Sequence, residues 1–113
     1  MFTERKTWSD AAAACRGLNS HLIEPRTEEV NTIAKSFDVI HNPWIGASDI
    51  QVEGQWVWAS DGELVTLTYN DWAIGQPNNL EDQHCAAYQT VGGWGDNNCT
   101  KPQQFICQTD IRT

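Results

Sequence analysis

The chain has 113 residues and a formal net charge of −8, enough for one hydrophobic core and one domain spanning residues 1–113. An acidic surface repels phosphate backbones, which excludes nucleic acid as a partner. No apolar run approaches the roughly 20 residues of a membrane span.

Thr7-Trp8-Ser9-Asp10 reads as a capping box that opens a helix. Trp8, Ala11, Ala12, Cys15 and Leu18 follow helical spacing on one face, and Gly17 is a natural stop. His21-Leu22-Ile23 forms a short strand ended by Pro25. A second helix starts at Thr27, with Glu28 and Glu29 favourable in its first turn and Val30, Ile33, Ala34 and Phe37 as its buried stripe. After Pro43 the period changes. Trp44-Ile45-Gly46-Ala47 and Gln55-Trp56-Val57-Trp58 read as strands separated by a turn at Gly54, and Asp61-Gly62 marks another turn. From about Tyr69 to Gln83 the chain is polar, a loop of roughly 14 residues, which is longer than compact domains carry without a reason. Strands resume at Cys85-Ala86-Ala87-Tyr88 and close with Gln104-Phe105-Ile106-Cys107. Helices first and strands afterwards indicate an α+β domain.

Four cysteines without a Cys-x-x-Cys pair favour two disulfides over a metal site, and Cys15, Cys85, Cys99 and Cys107 permit three pairings between which spacing does not choose. With six tryptophans in a small acidic chain, this composition suits a secreted, disulfide-stapled fold. No charged-then-apolar signal segment is present, and Met1 running straight into Phe2-Thr3-Glu4 reads as the start of a mature domain.

The most informative stretch is Gln76-Pro77-Asn78-Asn79, followed by Cys85, Trp94-Gly95-Asp96, Cys99 and Cys107. It sets two side-chain carbonyls either side of a proline, then acids, then a carboxylate after a tryptophan. Hard cations take six to eight oxygen ligands of this mixed kind, and a sugar completes such a shell with neighbouring hydroxyls. Gly-x-Ser-x-Gly, His-Glu-x-x-His and phosphate-loop motifs are all missing. The expected chemistry is therefore binding rather than catalysis. Trp44, Trp56, Trp58 and Trp94 read as core, and His84 and Tyr88 as structural, while Trp72 beside the loop suits either support or ligand contact. Asn98-Cys99-Thr100 matches a glycosylation acceptor, although the neighbouring cysteine argues against its use.

Taken in order, the helix ending at Cys15, Trp44-Ile45-Gly46-Ala47, Gly54-Gln55-Trp56-Val57-Trp58, Gln76-Pro77-Asn78, Cys85, Trp94-Gly95-Asp96, Cys99 and Phe105-Ile106-Cys107 resemble the C-type lectin-like domain over nearly the whole chain. The variant most resembled is the short one of secreted invertebrate lectins. The resemblance implies two helices plus antiparallel strands, a long ligand-binding loop, and disulfides Cys15–Cys107 and Cys85–Cys99. It also implies that the family's N-terminal strand is nearly missing, with Phe2 as its last residue. In sugar-binding members, calcium is held by two residues flanking a cis proline, an acid before the third cysteine, and an Asn-Asp pair after a tryptophan. Here the flanking pair is Gln76 and Asn78, and Asp96 matches the final aspartate. A cis bond at Pro77 would bring both flanking carbonyls to one side.

Three positions depart from that pattern. The flanking pair contains no carboxylate, the usual Asn is Gly95, and the usual acid before Cys85 is Gln83. Glu81 and Asp82 lie close enough in a shortened loop to replace the missing acid. The resemblance thus implies a secreted lectin that binds calcium and a terminal monosaccharide through Gln76, Asn78, Glu81, Asp82 and Asp96. The two neutral amides are symmetric in donor and acceptor and select neither mannose- nor galactose-type hydroxyls. A homo-oligomer is compatible with these features. The rival implied by the same departures is a calcium-independent module for glycan, protein, mineral or ice.

Overall fold

In the computed structural model the described residues are 2–36, 42–73, 75–77, 83–89 and 92–109, excepting the side chains of Phe2 and Thr3. Phe37, expected in the stripe of the second helix, therefore lies outside the described residues. Helix α1, Trp8–Gly17, opens where Thr7 Oγ1 accepts a hydrogen bond from the Asp10 amide at 3.3 Å. Ala11, Ala12 and Cys15 form its buried face. Leu18, expected on that face, caps the helix instead and is 57 % exposed. Beyond it the chain turns away through Asn19, whose φ is 56°. Helix α2, Glu28–Lys35, is capped the same way, with the Val30 amide donating to Thr27 Oγ1 at 3.1 Å. Its buried residues are Asn31 and Ala34, while Ile33 stays 55 % exposed. The expected stripe is thus rotated, because the Asn31 amide finds partners inside the protein that an aliphatic chain would not.

The strands are β1 (Phe2–Lys6), β2 (His21–Leu22), β3 (Trp44–Ser48), β4 (Val57–Trp58), β5 (Gln83–Tyr88), β6 (Trp94–Asn98), β7 (Gln103–Phe105) and β8 (Cys107–Gln108). The main sheet runs β1-β7-β3-β5-β6, with β4 also on β3, and β2 pairs with β8. All pairings are antiparallel except β3 with β7. Two expectations are corrected here. The N-terminal strand is present, because β1 pairs with β7 in the register Phe2↔Phe105 and Lys6↔Gln103. The closing segment is two strands rather than one, broken at Ile106, whose carbonyl takes the Ile23 amide at 2.8 Å. Strand β6 and a 3₁₀ turn at Val65–Leu67 went unforeseen; Gly95 and the polar Asp96-Asn97-Asn98 mask β6 in sequence.

Alternation on the central strands divides the core in two. Ile45, Ala47, Ala86, Tyr88 and Trp94 face one cluster with Trp56 and Trp58. Trp44, Cys85, Ala87 and Phe105 face α1 with Ala11, Ala12 and Cys15. Trp44, Trp58 and Trp94 are fully buried and Trp56 is 6 % exposed, in accord with their reading as core. Large indoles fit because Ala86 and Ala87 in β5 leave them volume. Disulfides Cys15–Cys107 and Cys85–Cys99 join α1 to β8 and the two ends of the β5–β6 hairpin, the pairing that the resemblance implied. Among the described residues no helix is long and apolar enough to cross a membrane.

Candidate functional site

The long loop is anchored at its base by one buried amide. Asn31, 2 % exposed on α2, accepts hydrogen bonds from the Tyr88 hydroxyl at 2.7 Å and the Trp94 indole N–H at 3.1 Å. Its Nδ2 donates to Asp71 at 2.9 Å, and Lys35 pairs with the same carboxylate at 2.7 Å. An indole only donates and a carboxylate only accepts, so this network leaves the amide one orientation. Burial pushes the Tyr88 phenol well above its ordinary pKa, and it stays a donor. Segment 71–73 then lies along β6: the Trp94 amide donates to the Asp71 carbonyl and the Ala73 amide to the Trp94 carbonyl, both at 2.8 Å. Gly93 permits this approach, because a Cβ there would stand 2.7 Å from the Asp71 carbonyl oxygen. Trp72 is half-buried and meets Trp56 and Trp94 edge-on, with centroids 5.1 and 5.6 Å apart. Those contacts make it a support of the loop.

Three residues further on, the chain reaches Gln76 and Pro77, joined by a cis peptide bond. Gln76 Oε1 accepts a hydrogen bond from the Asp96 amide at 3.3 Å. The tertiary structure therefore brings together two of the sequence-predicted site residues, 20 positions apart. Asp96 is 5 % exposed, a carboxylate taken almost wholly out of water. Asn78, Glu81 and Asp82 lie outside the described residues.

Two of the positions that depart from the family pattern, Gln83 and Gly95, lie among the described residues. Among the described residues, Gln83 at the start of β5 has a buried Oε1 with no hydrogen-bond partner. An orphaned buried carbonyl costs on the order of 1–3 kcal/mol, and an oxygen-seeking cation is one group that would satisfy it. At Gly95 the place of a side chain is filled: a Cβ there would stand 2.5 Å from Gln89 Nε2. His84, read as structural, is part of a group that sequence reasoning missed. Its Nδ1 lies 3.0 Å from Asp49 and 3.2 Å from Glu53, and the three ligand atoms all fall within 4.8 Å of one another. Asp49 is buried and fixed by the Gly54 amide at 2.9 Å. The available signal was two acids four apart before a turn glycine, with nothing in the sequence to pair them with His84. Asn98 Oδ1 accepts hydrogen bonds from the Thr100 amide and hydroxyl, so the glycosylation-like motif closes a local turn.

The lectin C-type domain model matches residues 4–109. The chain belongs to the C-type lectin domain family. Perlucin of Haliotis laevigata is 34 % identical over 116 residues, covering 96 % of this chain and 73 % of perlucin. CD209 antigen-like protein A of Mus musculus is 33 % identical over 106 residues and 92 % of this chain. The chain spans only 44 % of that relative's length. Among solved structures, the human scavenger receptor C-type lectin carbohydrate-recognition domain superposes with a TM-score of 0.87 at 32 % identity, covering 97 % of this chain and 88 % of its own. Herring type II antifreeze protein superposes with a TM-score of 0.85 at 27 % identity, covering 98 % and 88 %. These relatives are lectins and C-type-lectin-like modules, not enzymes, and the lectin fold holds for this C-type lectin domain throughout.

Proposed function

We propose that this domain is a secreted, calcium-dependent lectin that binds a terminal monosaccharide at the Gln76–Asp96 site. The observation that carries the reading is the contact between Gln76 Oε1 and the backbone N–H of Asp96, which brings the Gln76 side chain to a residue whose carboxylate is buried. Gln76, Asn78, Glu81 or Asp82, and Asp96 would hold the ion. The orphaned oxygen of Gln83 supports a cation there. Bound calcium supplies open coordination positions that two vicinal sugar hydroxyls fill. Membership of the family supports carbohydrate binding, and two disulfides support an oxidising, extracellular setting. Glycan is the proposed partner, and residues 1–113 are proposed to act as one domain.

A second reading rests on Gly95 and Gln83, which remove two side-chain charges or oxygens from the family's ligand set. In that reading the same surface binds glycan, protein, mineral or ice without calcium, and the likeness to herring antifreeze protein supports it. Melting curves and a glycan array, each run with 10 mM calcium and with EDTA, separate the two readings. The calcium reading expects a higher melting temperature in calcium, with about 2.7 kcal/mol of stabilisation at a hundredfold excess over Kd. It also expects glycan release by EDTA. Unchanged melting together with EDTA-resistant glycan binding would establish the second reading.

A further inference from the structure

We propose that Gln89 supplies the amide that residue 95 lacks, and so contacts the calcium–sugar unit directly; this rests on the calcium reading above. Gln89 directly follows β5, on the way across the hairpin to β6. Its amide donates to the Gly93 carbonyl at 2.8 Å, and its carbonyl takes the Gly92 amide at 2.9 Å. In this hairpin Ala87 stands opposite Gly95, and alternation places the Gln89 side chain on the face that Ala87 and Gly95 share. From there it lies over Gly95. A Cβ built on Gly95 would meet Gln89 Nε2 at 2.5 Å, Cδ at 2.6 Å and Cγ at 2.8 Å.

The match is chemical as well as steric. In an asparagine, standard bond lengths put the amide nitrogen about 2.4 Å from its own Cβ. The Gln89 nitrogen stands at that distance from where the Cβ of residue 95 would be. The end of the Gln89 side chain, an amide with one carbonyl acceptor and two N–H donors, thus takes up space that any side chain at position 95 would need. The place is next to the rest of the site, since the peptide following Gly95 is the one whose N–H binds Gln76 Oε1. Gln76 and Gln89 thus both come to the residue pair Gly95-Asp96, the first at the Asp96 N–H and the second over Gly95. A glycine at 95 is what makes room for the cross-strand amide.

Gln89 and residue 95 are then interchangeable in a way that a cycle of variants measures. The probes are calcium by titration calorimetry and retention on immobilised mannose and galactose, with melting in EDTA as the check on folding. Gln89→Ala should weaken calcium about tenfold, the usual consequence of losing one polar contact to a charged group, and lose sugar retention. Gly95→Asn alone should stay within about threefold of the parent, because one amide displaces the other. The double variant Q89A/G95N should recover calcium affinity and retention, whereas Q89A/G95A should not. Q89A affinity within about twofold of the parent overturns the assignment while leaving the calcium reading intact. So does a folded Q89A/G95N that fails to recover. A parent protein that binds neither calcium nor sugar overturns the calcium reading itself, and Gln89's role with it.

Discussion

Glu24 is 4 % exposed yet carries a carboxylate that four hydrogen bonds satisfy. It accepts from the Ser60 amide at 2.9 Å, the Ser60 hydroxyl at 2.8 Å and Arg26 through Nε and Nη2. Arg26 goes on to Asp61 and Glu63 at 2.9 and 2.8 Å and lies over the Trp58 ring at 5.5 Å. Burial acts to lower the Arg26 pKa, but hydrogen bonds to Asp61 and Glu24 outweigh it, and the guanidinium is held above its ordinary range. The same contact, through the Arg26 hydrogen bond first, holds Asp61 below its ordinary 3.8. Because that carboxylate's pKa is lowered by folding, its contribution is complete above 3.8 and is lost as pH falls below it. Gly46 lets Glu24 pack, since a Cβ would stand 2.9 Å from Glu24 Cγ and 3.0 Å from the Leu22 carbonyl oxygen. Glu24→Ala removes the buried acceptor shared by Arg26 and Ser60 and should cost about 3 kcal/mol in urea unfolding. A loss under about 1 kcal/mol would show that solvent replaces the carboxylate freely.

At the scale of elements, α2 links local sequence to the site. Thr27 caps it, so Thr27→Ala should cost about 1 kcal/mol by the same urea measurement. The loss should appear at any calcium concentration, because the cap touches no site residue. On the inner face, Asn31 ties the helix to β5, β6 and segment 71–73 at once. The T-shaped contacts of Trp72 with Trp56 and Trp94 add about 0.5–1.5 kcal/mol each beyond area burial. Together these explain how a polar stretch with no apolar period holds one position at its base.

At the scale of the whole molecule, the two disulfides act differently. Cys15 and Cys107 are 92 positions apart and Cys85 and Cys99 are 14 apart. Chain-entropy models give about 4–5 kcal/mol for the first and about 3 kcal/mol for the second. Replacing both cysteines of a pair by alanine should therefore lower the melting temperature more for Cys15–Cys107. Calcium affinity should fall more for Cys85–Cys99, which ties the hairpin bearing Gln83 and Asp96. The reverse order in the calcium titration would place the site elsewhere.

The sequence by itself determined the helices, the tryptophan core and the turn glycines, because caps, periodicity and bulk act over a few residues, and the ordered motifs carried the resemblance to the family. Thr7 and Thr27 are legible as caps for that reason, and so are the alternating strands around Trp44 and Trp58. The stripe of α2 and the existence of β1 and β6 were decided by tertiary partners. Asn31 is buried because Tyr88, Trp94 and Asp71 converge on it, and β1 forms because β7 offers its edge. The site divides along the same line. Gln76 and Asp96 were readable as oxygen donors from their motifs. The place of Gln89 over Gly95, the unmet oxygen of Gln83 and the meeting of His84 with Asp49 and Glu53 depend on strand register and loop closure. Those are set when the hairpin closes and distant segments meet, and short-range sequence pattern carries no record of either.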